Sequence, residues 1–254
     1  MTLKAKANVS IIQFESRCYK LRIEMAKIRA GMSVEDAIEK IKSLYNPSNV
    51  AGMARYGINS HDTYGVSIPT LRIMAKEIGK DHGAALTLWK SGIHKARLLA
   101  GFMDDPRQVT EDQMEAWVKD FNSWDICDQV CSNLFDRTSF AYRKALEWVR
   151  RDEEFVKRAG YVLMAALAVH DKKASDEVFL TFLPIINDGA TDERNFVKKA
   201  VNWALRQIGK RKAKLNRTAI KAAEEIRKIN SKSARWIASD ALRDLKRAKQ
   251  SLEK

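Results

Sequence analysis

Cysteine, histidine, proline and glycine are all scarce in this 254-residue chain, and each scarcity excludes something. Three cysteines (Cys18, Cys127, Cys131) are an odd, thin set, unlike the framework of a disulfide-stapled secreted domain. His61, His82, His94 and His170 fall in separate segments without ligand spacing. Structural or surface roles are expected for them, and Cys127-x-x-x-Cys131 reads as helix packing rather than a zinc site. No metal or other cofactor is expected. Four prolines and eleven glycines leave long stretches without a breaker, and no alternating strand pattern of useful length occurs. The longest unbroken apolar run, Tyr161 to Val169, is about half of what a bilayer crossing needs. No membrane span and no signal peptide are read, so a reducing cytoplasm is the expected compartment.

What the chain has in excess is positive charge. Lys plus Arg number 46 against 32 Asp plus Glu, a formal net charge of +14. The excess sits at the two ends. Residues 191–254 hold 19 basic against 7 acidic side chains, residues 1–34 hold 7 against 2, and the middle is slightly acidic. A concentrated basic region suits a polyanion, because each cation placed on a phosphate releases condensed counterions. Charge alone fits a lysine-rich soluble surface equally well.

Helical spacing runs nearly throughout, as in Leu86, Trp89, Ile93, or Met114, Trp117, Val118, Phe121, or Val178, Phe179, Phe182, Leu183. Ser33, Thr110 and Thr191 each precede acidic residues and are candidate N-caps. Gly79, Gly92 and Gly189 mark helix ends or turns. The chain is therefore all-α, and it repeats itself. Phe155-Val-Lys-Arg-Ala159 matches Phe196-Val-Lys-Lys-Ala200 at an offset of 41 residues. Weaker copies begin at His94-Lys-Ala-Arg and Ser233-Ala-Arg-Trp. A period near 40 with two helices per unit predicts a HEAT-like solenoid with a basic concave face. The inner helices begin with cations, among them Lys157, Arg158, Lys198 and Lys199, where helix N-termini also favour phosphates. Residues 1–30 fit the pattern poorly and are read as a peripheral extension. Residues 31–250 are read as one repeat domain, expected to be monomeric.

The most unusual segment is Phe121-Asn-Ser-Trp124-Asp125-Ile-Cys-Asp128. Asn122 or Ser123 is placed to cap a helix starting at Trp124, on which Trp124 and Asp128 share a face. Asp125 is explained as a first-turn acid favouring the helix dipole. Asp128 has no such explanation. Lys199, Trp203 and Arg206 form a second face at i, i+4, i+7, and Trp with Arg on a basic surface is a nucleic-acid composition. Trp89, Trp117 and Trp148 are read as core. The glycine-punctuated stretch from Tyr56 to Gly65 adds Tyr56 and Tyr64 as contact candidates.

Across residues 50–245 these segments, taken in order, resemble the AlkD-like DNA alkylation repair glycosylases. The resemblance rests on Ser-Trp-Asp-x-x-Asp at 123–128, on the Lys-Arg-Ala helix start, and on Phe-Val-Lys-Lys-Ala-x-x-Trp-x-Leu-Arg at 196–206. It implies a HEAT-like solenoid that wraps double-stranded DNA and excises cationic alkylated bases such as N3-methyladenine and N7-methylguanine. It also implies Asp128 as the catalytic carboxylate, Trp124 and Trp203 beside the lesion's sugar and backbone, and Arg158 on a nearby phosphate.

The chemistry of the residue types agrees. A base alkylated at N3 or N7 is already cationic and leaves without much acid catalysis. The charge that remains to be stabilised is the oxocarbenium-like sugar, which a carboxylate can offset while orienting water. Indole faces attract the same charge. The competing reading is a non-catalytic HEAT-like module that binds DNA or a protein, since solenoids more often bind than catalyse. Against it stands Asp128, whose charge would repel phosphates. An RNA-binding repeat protein is weaker still, for no base-reading code recurs.

Overall fold

The computed structural model describes residues 32–58 and 62–252. The N-terminal extension with Cys18, and His61, lie outside the described residues. Within them are thirteen α-helices, one 3₁₀ turn and no strand. The first six are α1 (Val34–Ser43), α2 (Pro47–Arg55), α3 (Ile68–Ile78), α4 (His82–Lys90), α5 (His94–Met103) and α6 (Glu111–Lys119). After them come α7 (Trp124–Asn133), the 3₁₀ turn Phe135–Arg137, α8 (Ala141–Trp148), α9 (Glu154–His170) and α10 (Asp176–Gly189). The chain closes with α11 (Asn195–Arg211), α12 (Ala213–Lys228) and α13 (Lys232–Leu252).

Two of the three expected caps form. Ser33 accepts from the Asp36 amide while the Asp36 carboxylate reaches back to the Ser33 amide, a full capping box. Thr110 accepts from the Gln113 amide at 3.1 Å. Thr191 does not cap α11. That helix starts at Asn195, too far on for Thr191 to reach its orphan amides, and the Thr191 hydroxyl donates to the Asp188 carbonyl instead. Asp192 does the local work, accepting from the Arg194 amide at 3.0 Å. Gly79 and Gly92 end helices with φ of +84° and +73°. Gly189 is required by a close approach: a Cβ there would stand 2.0 Å from the Tyr161 hydroxyl.

The helices stack in two layers. In one, α3, α5, α7, α9, α11 and α13 each touch the next; in the other, α4, α8, α10 and α12 back α5, α9, α11 and α13. This is the HEAT-like superhelix. The repeat is uneven, however. Inner helices begin at 94, 124, 154, 195 and 232, so the period is 30 residues in the first half and approaches 40 only in the second. Both layers contribute: the outer helices have 9 and 8 residues in α6 and α8 against 14 and 16 in α10 and α12, and the inner ones 10 each in α5 and α7 against 17 each in α9 and α11. Helices α9 and α11, which carry the matching Phe-Val-Lys motifs, are both 17 residues long and pack directly together.

Burial follows the layers. Helix α9 is flanked on nearly every side, and Val162 to Leu167 are all essentially inaccessible, as a helix apolar around its circumference requires. Trp89, Trp117 and Trp148 belong to the core, the first two stacked with ring centres 3.9 Å apart. Cys127 and Cys131 are buried with their thiols directed at the Phe155 and Ala159 carbonyls of α9. Charge buried between the outer helices α6 and α8 is matched. Lys144 of α8, 3% exposed, contacts Glu111, Glu115 and Glu147 at 2.7, 2.9 and 2.7 Å, and Trp148 donates to Glu115 as well.

Candidate active site

The site is built on the first two turns of α7. Ser123 occupies the N-cap position, but its hydroxyl donates sideways to the Asp125 carboxylate at 2.7 Å rather than accepting from the helix. The same Asp125 oxygen pairs with His94 Nε2 of α5 at 3.1 Å. Asp125 is thus a buried tie between two inner helices, not an exposed first-turn acid. Burial opposes its charge, yet His94, Ser123 and the nearby Lys95 ammonium hold its carboxyl below the usual carboxylate range.

One helical turn on, Asp128 has the opposite environment. The Arg158 guanidinium of α9 grips both its oxygens, Nε to Oδ1 at 2.9 Å and Nη2 to Oδ2 at 2.8 Å. Arg158 Nη1 donates to the Phe196 carbonyl of α11 at 2.5 Å. Burial pushes the Asp128 carboxyl above the usual range, Arg158 pulls it back, and the fixed charge of Asp125 adds to the rise. Two acids three residues apart therefore differ in role because they differ in partners.

Asp128 opens into a cavity of about 330 Å³ lined also by Tyr56, Trp124, Arg158, Phe196, Lys199 and Trp203. Trp124 is anchored by its indole N–H, which donates to the Tyr56 carbonyl at 3.0 Å. The Tyr56 ring stands 75% exposed at the mouth. Gly57 follows with φ of +73°, and a Cβ there would lie 3.0 Å from the Phe196 ring; glycine lets this turn close over the cavity. A second cavity of about 490 Å³ adjoins it across Trp124 and Tyr56, with Lys95, Asp125 and Gln129 among its walls. Lys95 is 4% exposed, and burial lowers its ammonium below the usual lysine range.

Of the nine residues singled out in the sequence, six meet here: Asp128, Trp124, Trp203, Arg158, Lys199 and Tyr56. Three do not. Arg206 points away and is engaged by Asp244 at 2.6 Å and Asp240 at 3.3 Å on α13. Lys157 approaches Asp192 at 3.9 Å. Lys198 lies 5.7 Å above the exposed ring of Trp236. Tyr64 also turns aside, edge-on to Tyr45. Arg158, expected on a phosphate, has its donors on Asp128 and Phe196, and its side chain is 6% exposed. Phe196 was not singled out; its signal was present in the residue that opens each copy of the matched motif, Phe155 and Phe196, whose rings lie 5.4 Å apart. Among the described residues no cluster of His, Cys, Asp and Glu converges as a metal ligand set, and no helix is long and apolar enough to cross a membrane.

The model of a family described as DNA alkylation repair enzyme matches residues 37–245. No curated protein matches the chain. Among solved structures it is similar to one described as "A new family of proteins related to the HEAT-like repeat DNA glycosylases with affinity for branched DNA structures". The TM-score is 0.73 at 19% identity, over 86% of this chain and 96% of that one. At that identity the likeness shows the fold.

Proposed function

The chain belongs to the DNA alkylation repair enzyme family, and on that footing we propose that it is a glycosylase that hydrolyses the N-glycosidic bond of cationic alkylated purines, such as N3-methyladenine and N7-methylguanine, in duplex DNA. The observation that carries this reading is the Asp128 carboxylate, fixed by two bonds from Arg158, in a cavity walled by Trp124 and Trp203.

The alkylated base departs as a neutral purine, taking the bonding electrons, and leaves positive charge on the sugar. Asp128 offsets that charge and orients the water that attacks C1′. Trp124 and Trp203 contribute attraction from their indole faces. The grip of Arg158 keeps the carboxylate in one orientation, so little reorganisation accompanies charge development. Lys199, exposed beside the cavity and without an ion pair among the described residues, is suited to a flanking phosphate.

One observation favours a second reading. The Asp128–Arg158 pair is formally neutral, so Asp128 does not repel DNA as a lone carboxylate would. A non-catalytic module that binds DNA can therefore keep it, and the structural neighbour is described by its affinity for branched DNA.

Base release from methylated duplex separates the two. The glycosylase reading expects release of N3-methyladenine or N7-methylguanine by the parent, and a loss of about 10²–10⁴ in single-turnover rate for Asp128→Asn with duplex affinity retained. No release by either protein, together with tighter binding to a four-way junction than to linear duplex, establishes the binding reading instead.

A further inference from the structure

Four cations share another cavity on the inner layer, away from the site just described. Arg72 and Lys76 of α3, and Lys80 just beyond its end, line it with Arg137 of the 3₁₀ turn, and Phe102 and Asn133, at the C-terminal ends of α5 and α7, join the wall. It encloses about 360 Å³. Among the described residues none of the four lies in an ion pair with a carboxylate.

Their contacts are neutral ones. Arg72 donates to the Gln129 and Asn133 side-chain amides at 3.2 and 3.0 Å, and its guanidinium lies 4.5 Å over the Phe102 ring. Lys80 donates to the main-chain carbonyls of Phe102 and Asp104. The acids that Lys80 senses are taken up elsewhere: the Asp104 carboxylate by His82 and Gln113, Asp105 by Arg107. Lys76 and Arg137 are exposed. Burial and then the Arg137 charge press the Lys80 ammonium below its usual range, so the cluster repels itself as it stands. An anion reverses the sign of that interaction for all four cations.

The cavity is separate from the proposed site but linked to it by one contact. Arg72 binds Gln129, and Gln129 lines the cavity that adjoins Trp124 and Tyr56. Along α7 the order is Trp124, Asp128, Gln129, Asn133, and from Asp128 to Asn133 the helix rises ~7.5 Å. That offset is comparable with the ~6 Å width of the minor groove of B-DNA. Phosphates follow one another every ~3.4 Å along one strand, so a duplex that presents its sugar to Asp128 has other phosphates at offsets of that order.

We propose that the Arg72–Lys76–Lys80–Arg137 cavity is a phosphate site that takes a backbone phosphodiester of the bound DNA, with Lys76 and Arg137 as direct contacts and Arg72 and Lys80 as fixed positive walls. The proposal rests on the DNA-binding part of the reading above and on no step of base excision.

The test uses the full chain and undamaged duplex, so that it runs whether or not bases are excised. Affinity of the parent and of the Lys76→Ala/Arg137→Ala variant is followed by fluorescence anisotropy between 50 and 200 mM salt. The variant is expected to bind roughly tenfold more weakly at the low-salt end and to lose about one unit of slope in log affinity against log salt. Methylphosphonate substitution, one linkage at a time, identifies the phosphate: neutralising one linkage weakens the parent and leaves the variant unaffected. Thermal melting checks the fold, and Lys76→Gln alone repeats the measurement if the double variant melts early. An unchanged slope and methylphosphonate profile overturns the proposal. So does inorganic phosphate binding in calorimetry that is lost in the variant while the DNA slope stays the same, which would make this a free-phosphate site. A parent that releases no alkylated base, with the slope still falling in the variant, removes the glycosylase reading and keeps this site.

Discussion

Lys144 and Arg137 stand seven residues apart in the chain, and their surroundings are opposite. Lys144 lies between the outer helices α6 and α8 with three glutamates on its ammonium. Arg137 faces the inner-layer cavity among three other cations and no paired acid. A cation buried like Lys144 must be matched when the protein folds, because no later partner reaches it. The cations around this cavity are left without ion pairs among the described residues, at a cost in self-repulsion that a polyanion would remove on binding. The contrast separates charges that hold the solenoid together from charges that address a ligand.

Removing the matched cation should have the largest effect on stability. Lys144→Met removes the partner that three carboxylates share at the α6–α8 contact and is expected to cost about 3 kcal/mol in urea unfolding, discounted because the glutamates are partly in water and keep Arg143 and Arg151. The same cluster carries a pH dependence. Bonds from Arg143 and then Lys144 hold the Glu111 carboxyl at about 2, against 4.5 for a free group. A depressed carboxyl stabilises above its unfolded value, so this contribution fades as pH falls from about 4.5 towards 2, and the Lys144→Met variant should show less of that fading.

Next in size is the Asp128 grip. Arg158→Lys replaces a two-point fork by a single flexible ammonium and should lower single-turnover excision by about 30- to 100-fold. Because burial already raises the Asp128 carboxyl, the acid limb of the parent's pH–rate profile should lie above the ordinary carboxylate value of about 3.9. Loss of the fork moves it further up. For stability the sign is reversed from Glu111: a raised carboxyl favours the folded state most below its unfolded value, and this is lost as pH rises through the folded one. Asp125→Ala strands the buried His94 ring and should cost about 2 kcal/mol in unfolding, with Trp124 fluorescence changing as the start of α7 loosens.

The smallest effect sharpens the comparison most. Arg206 is held by Asp240 and Asp244, whereas Lys199 is exposed and without an ion pair among the described residues. Lys199→Ala should lower the salt slope of duplex binding by about one unit. Arg206→Ala should leave that slope alone and cost under about 1 kcal/mol in stability. Equal effects of the two would erase the distinction between matched and free cations.

The helices themselves were legible because helix formation is local. Apolar spacing, the caps at Ser33 and Thr110, and the motif repeated at 155 and 196 predict elements close to those observed. The uneven period was not legible, because the weak early copies gave no spacing and the lengths of α6 and α8 were hidden between them. Within the site, Trp124 and Asp128 share a face by helical arithmetic, and Trp203 with Lys199 does the same on α11. Arg206 follows the same arithmetic and still leaves the site, since α13 brings it two aspartates from more than thirty residues away.

The chain's order of residues determined that it is a two-layer stack of helices, which segment is exceptional, and which residues are the candidates for meeting a DNA sugar and its phosphates. The tertiary structure decided which charges are spent. It put Arg158 on Asp128, His94 on Asp125, three glutamates on Lys144, and, among the described residues, no ion pair on Arg72, Lys76, Lys80 or Arg137. Helical periodicity reaches only a turn or two along the chain, while a charge is matched or left free by neighbours that arrive from other repeats. Function here depends on that second, non-local choice.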